Sequence, residues 1–176
     1  MRKVVLYIAM SLDGYIADAG HGVGWLRGDG SEPDAPGSYS DFYESVDTVI
    51  LGWNTYDQIV TELSPDEWPY KEKRSFVFTH RRMDDSEYVA FRNTDVREFI
   101  EEIRRLPGKR IWVCGGANIV DQLLRSNSID VFHIAIVPTI LGGGIRLFER
   151  LNRKIDLKQT AVSTYNGITE VVYECL

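Results

Sequence analysis

The order of strand-like and helix-like segments is the feature that most limits the folds open to this chain. Runs rich in β-branched and aromatic residues alternate with helical patterns, and strands alone complete the sequence. Eight strands are predicted, at residues 3–9, 48–51, 75–79, 88–91, 110–114, 131–137, 157–163 and 169–175. This order predicts a three-layer α/β/α domain with a mixed, mostly parallel central sheet and an antiparallel C-terminal hairpin.

Apolar residues spaced three and four apart predict four helices between the strands. The first follows Ser38 and the third follows Thr94, which are the predicted N-caps. The stripes cover residues 39–46, 56–63, 96–106 and 119–127. The turn Asn166-Gly167 supports the final hairpin, because this pair readily adopts the positive φ angles of a tight turn.

One long irregular stretch, Ala19 to Gly37, is dense in Gly, Asp, Ser and Pro. Loops of this length inside a compact domain are usually functional lids or disordered segments, and we favour a lid. Because glycine and proline allow no regular ladder of backbone hydrogen bonds, we expect this lid to be the most mobile ordered part of the protein.

Composition narrows the classes of function. Residues 1–176 suit one domain, and no apolar run is long enough to cross a bilayer. A net charge of −6 without a Lys/Arg run argues against a nucleic-acid partner and favours a small molecule. Cys114 and Cys175 have no metal-ligand spacing and are expected to be buried, reduced thiols, which agrees with a cytoplasmic protein that holds no metal.

Glycines stand where three apolar strands end. Gly52 and the pair Gly115-Gly116 precede helical patterns, and residues 142–144 form a third glycine site. Glycine allows close approach of a ligand to the backbone, and a helix N-terminus attracts phosphate, so the first two sites suit the diphosphate of a dinucleotide. Each site alone also fits a simple strand-to-helix turn.

Together, four ordered motifs resemble the dihydrofolate-reductase-like superfamily, and most closely its riboflavin biosynthesis reductases, the RibD C-terminal domain family. The resemblance runs nearly from end to end of the chain. The motifs are Ile8 to Ala17 with its Ser-Leu-Asp-Gly turn, Leu51 to Tyr56, Val113 to Ile119, and Pro138 to Gly144 with Leu147-Phe148.

The resemblance implies NADPH as cofactor and assigns residues to it. Ala9 and Ile16 would hold the nicotinamide carboxamide through backbone groups, and the diphosphate and the adenosine ribose would lie at the strand ends. The residues for these parts are Gly52, Trp53, Asn54, Thr55, Gly115, Gly116, Ala117, Asn118 and Ile119 for the diphosphate, with Thr79, His80 and Arg81 for the ribose and its 2′-phosphate. The resemblance also implies a cis peptide between Gly115 and Gly116.

Two positions depart from the family pattern. Trp53 stands where the family often has an arginine for the 2′-phosphate, so preference for NADPH rests on His80, Arg81 and Arg82. Dihydrofolate reductases also carry a carboxylate on the helix after the lid, but Asp41 falls on the solvent face of that helix.

Three further residues have open roles. Asp13, at the turn beside the nicotinamide, is the candidate catalytic acid or substrate anchor, or else a turn-stabilising residue. Trp25 in the lid either covers the substrate ring or only anchors the loop. His133 is expected to be a polar strand position or a dimer contact rather than a catalytic base.

The resemblance implies hydride transfer from NADPH to a pteridine, a pyrimidine or a ribosylaminopyrimidine, as in 5-amino-6-(5-phosphoribosylamino)uracil reductase. Two alternatives remain, dihydrofolate reduction and a module that senses NADPH without turnover. A homodimer is also expected, with the strands from Val131 onward as candidates for its interface.

Overall fold

The computed structural model describes residues 1–176 and contains ten strands and four helices. The strands are β1 Val4–Ser11, β2 Tyr15–Ala17, β3 Val46–Gly52, β4 Arg74–Phe78, β5 Val89–Arg92, β6 Arg110–Gly115, β7 Val131–Val137, β8 Ile145–Arg146, β9 Leu157–Tyr165 and β10 Ile168–Cys175. The helices are α1 Tyr39–Glu44, α2 Trp53–Gln58, α3 Val96–Ile103 and α4 Ala117–Arg125, and α2 continues into one wider π-type turn, Ile59–Leu63.

Eight of the strands form one sheet in the order β5-β4-β3-β6-β1-β7-β10-β9. Neighbours from β5 to β7 are parallel, whereas β10 runs antiparallel to both β7 and β9. The predicted mixed sheet with a terminal hairpin is confirmed. In the hairpin turn, Asn166 and Gly167 have φ angles of 45° and 74°, as a tight two-residue turn requires.

Helices cover both faces of the sheet, because the central strands are apolar on both sides. On β1, Leu6 packs into the core beneath α3 and α4, and Val5 packs into the core beneath α1 and α2. The three predicted layers are therefore present. β2 and β8 form a separate two-stranded ladder that was not predicted.

Two local predictions were wrong. Asp95, not Thr94, caps α3, where its side chain accepts a hydrogen bond from the Arg97 amide. Ser38 is the N-cap residue of α1, as predicted, although its side chain makes no capping hydrogen bond. Of the two free cysteines, Cys175 is exposed rather than buried.

No helix of the chain combines the length and the apolar character that crossing a membrane requires.

Candidate active site

The predicted diphosphate residues meet where β3 and β6 end. A Cβ atom built on Gly52 would lie 3.1 Å from Cγ1 of Ile119, and one built on Gly116 would lie 3.1 Å from Oγ1 of Thr55. Gly115 has a φ of +132°, which L side chains rarely adopt. The fold therefore brings both glycine motifs together, and only small residues fit between them.

α4 begins at this junction. Gly116 is its N-cap, and no side chain caps its first turn, which contains Ala117, Asn118 and Ile119. Uncapped amides at a helix N-terminus suit an anionic group. The Gly115–Gly116 peptide is cis, as predicted.

Arg81 lies over Trp53, which stands where the family often has an arginine. Its guanidinium carbon lies 4.6 Å from the ring centroid of Trp53, within the range of a cation–π contact. The Arg81 amide also donates to the hydroxyl of Thr79, at 3.1 Å, which fixes the turn after β4. Arg81 thus supplies a positive charge beside Trp53, although Arg81 follows β4 and Trp53 follows β3.

The remaining predicted cofactor residues belong to β1, β2, α2 and the turn after β4. Ala9 is on β1, beside Ala135 of β7, and Ile16 is on β2. Asn54 is exposed in α2, and the exposed His80 forms a 2.8 Å hydrogen bond with Asn93 through Nδ1.

Asp13 is engaged by the glycine-rich loop at residues 138–144. Its carboxylate accepts hydrogen bonds from the Ser11 hydroxyl at 2.6 Å and from the Leu141 and Gly142 amides at 3.1 and 2.8 Å. The Ser11 hydroxyl, followed by these amides, lowers the pKa of Asp13 to about 2. An acid ionised at neutral pH has no proton to give, so these contacts favour the structural role of Asp13 over the catalytic one.

A second group of functional side chains lies on the sheet face beneath α1. This polar cluster consists of Tyr7 on β1, Ser38 before α1, His133 on β7, and Tyr165 and Glu170 on the terminal hairpin. Glu170 Oε1 accepts from the Tyr7 and Tyr165 hydroxyls at 3.2 and 3.3 Å. The Ser38 hydroxyl lies 3.1 Å from His133 Nε2.

Strand register explains how these side chains meet. Tyr7 pairs with His133 across β1 and β7, and Ala135, two residues further, pairs with both Ala9 and Glu170. Because side chains two apart share a face, Glu170 lies on the same side of the sheet as Tyr7 and His133. Ala135 therefore lies between Ala9, where the nicotinamide is expected, and the Glu170 carboxylate.

The side chain of Glu170 is only 1% exposed. Burial would raise its pKa, but the His133 imidazole, the Ser38 hydroxyl and the Tyr7 hydroxyl outweigh burial and lower the pKa to about 2. Desolvation by burial, with Glu170 as a neighbouring charge, raises the pKa of the Tyr7 hydroxyl well above its ordinary value. The cluster thus surrounds the Glu170 carboxylate with two tyrosine hydroxyls, a serine hydroxyl and an imidazole.

The lid is tied to the turn of the terminal hairpin. The Asn166 side-chain oxygen accepts from the Gly30 and Glu32 amides at 3.0 and 3.2 Å, and the Asn166 carbonyl accepts from the Asp29 amide at 2.9 Å. The lid contains no regular helix or strand, as predicted. Within the lid, the half-buried Trp25 donates its indole N–H to the Gly22 carbonyl at 3.2 Å.

Sequence reasoning missed most of the polar cluster. The sequence predicts a polar strand position or a dimer contact for His133, and the structure shows a polar position on β7 whose side chain is 13% exposed and contacts Ser38 and Glu170 of its own chain. Asp41 is exposed, as predicted. The one available signal was a charged residue, Glu170, in the middle of a strand with apolar neighbours.

Comparisons with known proteins agree with this architecture. The family described as RibD C-terminal domain matches residues 2–172. The uncharacterized protein YwjB of Bacillus subtilis is 38% identical over 173 residues, which cover 98% of this chain and 97% of YwjB. A candidate riboflavin biosynthesis protein from Shewanella sp. PV-4 has a TM-score of 0.85 and 26% identity, with 99% of each chain covered.

Two more distant structures share the fold. The Thermotoga maritima diaminohydroxyphosphoribosylaminopyrimidine deaminase/5-amino-6-(5-phosphoribosylamino)uracil reductase has a TM-score of 0.71 and 16% identity, covering 99% of this chain and 57% of that one. Dihydrofolate reductase from Enterococcus faecalis, complexed with NADP(H), has a TM-score of 0.70 and 15% identity, with 98% and 96% covered. With a family match over nearly its whole length and this dihydrofolate-reductase-like fold, the chain belongs to the RibD C-terminal domain family.

Proposed function

We propose that the protein is an NADPH-dependent reductase that transfers a hydride to a pteridine-, pyrimidine- or ribosylaminopyrimidine-like substrate. One observation carries the proposal. Two glycine turns and the start of α4 meet at the carboxyl ends of β3 and β6. Ligands of open α/β sheets bind in this kind of crevice, at the carboxyl ends of the strands.

The residues present fit the cofactor. The uncapped first turn of α4 and the glycines at positions 52 and 116 suit the diphosphate, and Arg81 on Trp53 suits the 2′-phosphate of NADPH. Backbone groups of Ala9 and Ile16 would hold the carboxamide. When bound, NADPH supplies the hydride.

The chain itself contributes orientation and exclusion of water. Tyr7, His133 and Glu170 line the substrate side, and the lid carries Trp25 to cover the ring. Ala9 and Ala135, which pair across β1 and β7, join the strand expected to hold the carboxamide to the strand that carries His133.

Dihydrofolate reduction is less well supported, because α1 supplies Ser38 and the exposed Asp41 instead of an inward carboxylate. A sensor without turnover would have the same cofactor contacts. Oxidation of NADPH followed at 340 nm with the ribosylaminopyrimidine and with dihydrofolate separates the three functions. Failure to quench tryptophan fluorescence, together with no thermal shift at millimolar NADPH, would refute the cofactor assignment.

We further propose a cytoplasmic homodimer that binds no nucleic acid. The edge strand β9 supports this assembly, because it presents Leu157 and Val162 to solvent, 38% and 57% exposed. Light scattering that returns the 20.1 kDa monomer mass at micromolar concentration would contradict the dimer.

A further inference from the structure

A groove separates α3 from the strands at the β5 edge of the sheet. Its volume is about 510 Å³, which lies within the range of small-molecule sites. Side chains from β3, β4 and β5 form its floor, and α3 with the turn after it forms its roof. The groove shares no residue with the proposed cofactor site, with α4 or with the polar cluster, so it is distinct from the candidate active site.

Arg2 presents a buried guanidinium to this groove. Its side chain is only 8% exposed, and Nη2 donates to the Asp47 carboxylate and, at 2.7 Å, to the Thr48 hydroxyl. Nε donates to the Lys109 carbonyl at 2.6 Å, whereas Nη1 makes no hydrogen bond within the chain. The fold therefore fixes this guanidinium in place and leaves one of its nitrogens free to donate.

A second guanidinium lies on the floor of the groove. Arg74 pairs with Thr48 across β3 and β4, so the two side chains are on the same face of the sheet. The guanidinium carbons of Arg74 and Arg92 each lie 5.4 Å from the ring centroid of Phe76, within cation–π distance. Arg92 is also paired with Asp85 at 3.3 Å, but Arg74 has no carboxylate within ion-pair distance. Arg74 is thus the free positive charge of the floor.

The roof of the groove carries the opposite charge. Glu98 and Glu102 stand four residues apart on α3 and therefore lie on the same side of the helix, where like charges repel. Neither carboxylate forms an ion pair with the arginines of the floor. Phe99, Ile103 and Leu106 add an apolar strip along the same roof. Opposite charges thus line one groove without neutralising each other.

We propose that this groove binds an α-amino acid with an apolar side chain. Its carboxylate accepts hydrogen bonds from Arg2 Nη1 and from Arg74, and its ammonium group donates to Glu98 and Glu102. Its side chain packs along the apolar strip. A simple anion would face the two carboxylates and a simple amine would face the arginines, so a molecule that carries both charges satisfies both walls.

Three probes that share a phenyl ring test the two charges separately. L-Phenylalanine carries both charges, 3-phenylpropionate lacks the ammonium group, and 2-phenylethylamine lacks the carboxylate. Calorimetric titration of the full chain at neutral pH is expected to show phenylalanine binding at least about tenfold more tightly than either of the other two probes.

Two exposed side chains of the groove give matched variants that leave the core intact. Arg74→Gln should weaken the binding of phenylalanine and of 3-phenylpropionate about tenfold and leave 2-phenylethylamine unchanged. Glu102→Gln should instead weaken phenylalanine and 2-phenylethylamine and leave 3-phenylpropionate unchanged. Arg105→Gln is the control, because Arg105 is exposed just beyond α3 but does not line the groove, and it should change none of the three affinities.

Inorganic phosphate serves as a fourth probe. Binding of phosphate without binding of phenylalanine would reveal a simple anion site and overturn the proposal. Equal affinity for the three phenyl probes, no binding of phenylalanine at millimolar concentration, or full phenylalanine affinity in either Arg74→Gln or Glu102→Gln would also overturn it.

Discussion

Replacing Asn166 by glycine is expected to loosen the lid without unfolding the domain. Glycine tolerates the φ of +45° at this position, so the turn is retained and only the side chain is lost. The lost contacts are the hydrogen bonds from the Gly30 and Glu32 amides, whereas the bond from the Asp29 amide to the Asn166 carbonyl remains.

The size of the effect follows from these two bonds. Each contributes about 0.5–1.5 kcal/mol, and both amides are exposed, so water replaces part of the loss and about 1–2 kcal/mol remains. A change of this size raises the population of the open lid about 5- to 30-fold. The global free energy of unfolding should change much less, because no core contact is removed.

Hydrogen exchange of residues 19–37 measures this opening directly, and in this variant the lid amides should exchange 5- to 30-fold faster. Asn127→Gly is the matched control, since Asn127 also has a positive φ, 56°, but lies beyond α4. In the parent protein NADPH should slow exchange in the lid. Equal lid protection in Asn166→Gly and the parent would refute the idea that Asn166 holds the lid.

Three other changes test the site. Gly116→Ala should weaken NADPH binding at least about tenfold in a fluorescence titration, because its methyl would lie 3.1 Å from Thr55 Oγ1, whereas Gly143→Ala, with open space around it, should not. Arg81→Ala should weaken binding of NADPH more than of NADH, and equal losses would remove Arg81 from the 2′-phosphate site. The His133 imidazole, the Ser38 hydroxyl and the Tyr7 hydroxyl outweigh burial and lower the pKa of Glu170 to about 2, so its contribution to stability is complete above the unfolded pKa near 4.5 and is lost as pH falls toward 2. Urea unfolding should therefore show a shallower decline in stability between pH 5 and 2 for Glu170→Gln, and parallel curves would contradict this.

Local patterns predicted most of the fold. The strand at 131–137 matches β7 at both ends, and all eight predicted strands occur in the main sheet, because alternation and β-branched residues are strong local signals. β2 and β8 were missed since three and two residues are too few to show a period. Ser38 is the N-cap residue of α1, as predicted, but its hydroxyl contacts His133 instead of the first turn of the helix.

Part of the candidate site could also be predicted from local sequence, and part of it could not. The glycine sites at positions 52 and 115–116 stand next to strand ends in the sequence, so their meeting could be anticipated from the strand order. The charge of Glu170 within a strand was a signal, but its contacts could not be anticipated, because Tyr7 and His133 are distant in the chain and reach it only through the pairing of three strands. The docking of the lid on Asn166 left no local signal either.

The placement of Glu170 on β10 also has a consequence for biosynthesis. As the chain is made, Tyr7, Ser38 and His133 exist long before the carboxylate that joins them, and β7 lacks its antiparallel neighbour until β10 follows. A nascent chain that stops before residue 168 would expose that unpaired edge of β7, which is a template for association with other chains. The edge of β7 therefore stays unpaired until the final hairpin has been made. Chaperones that shield strand edges can bind it during that interval.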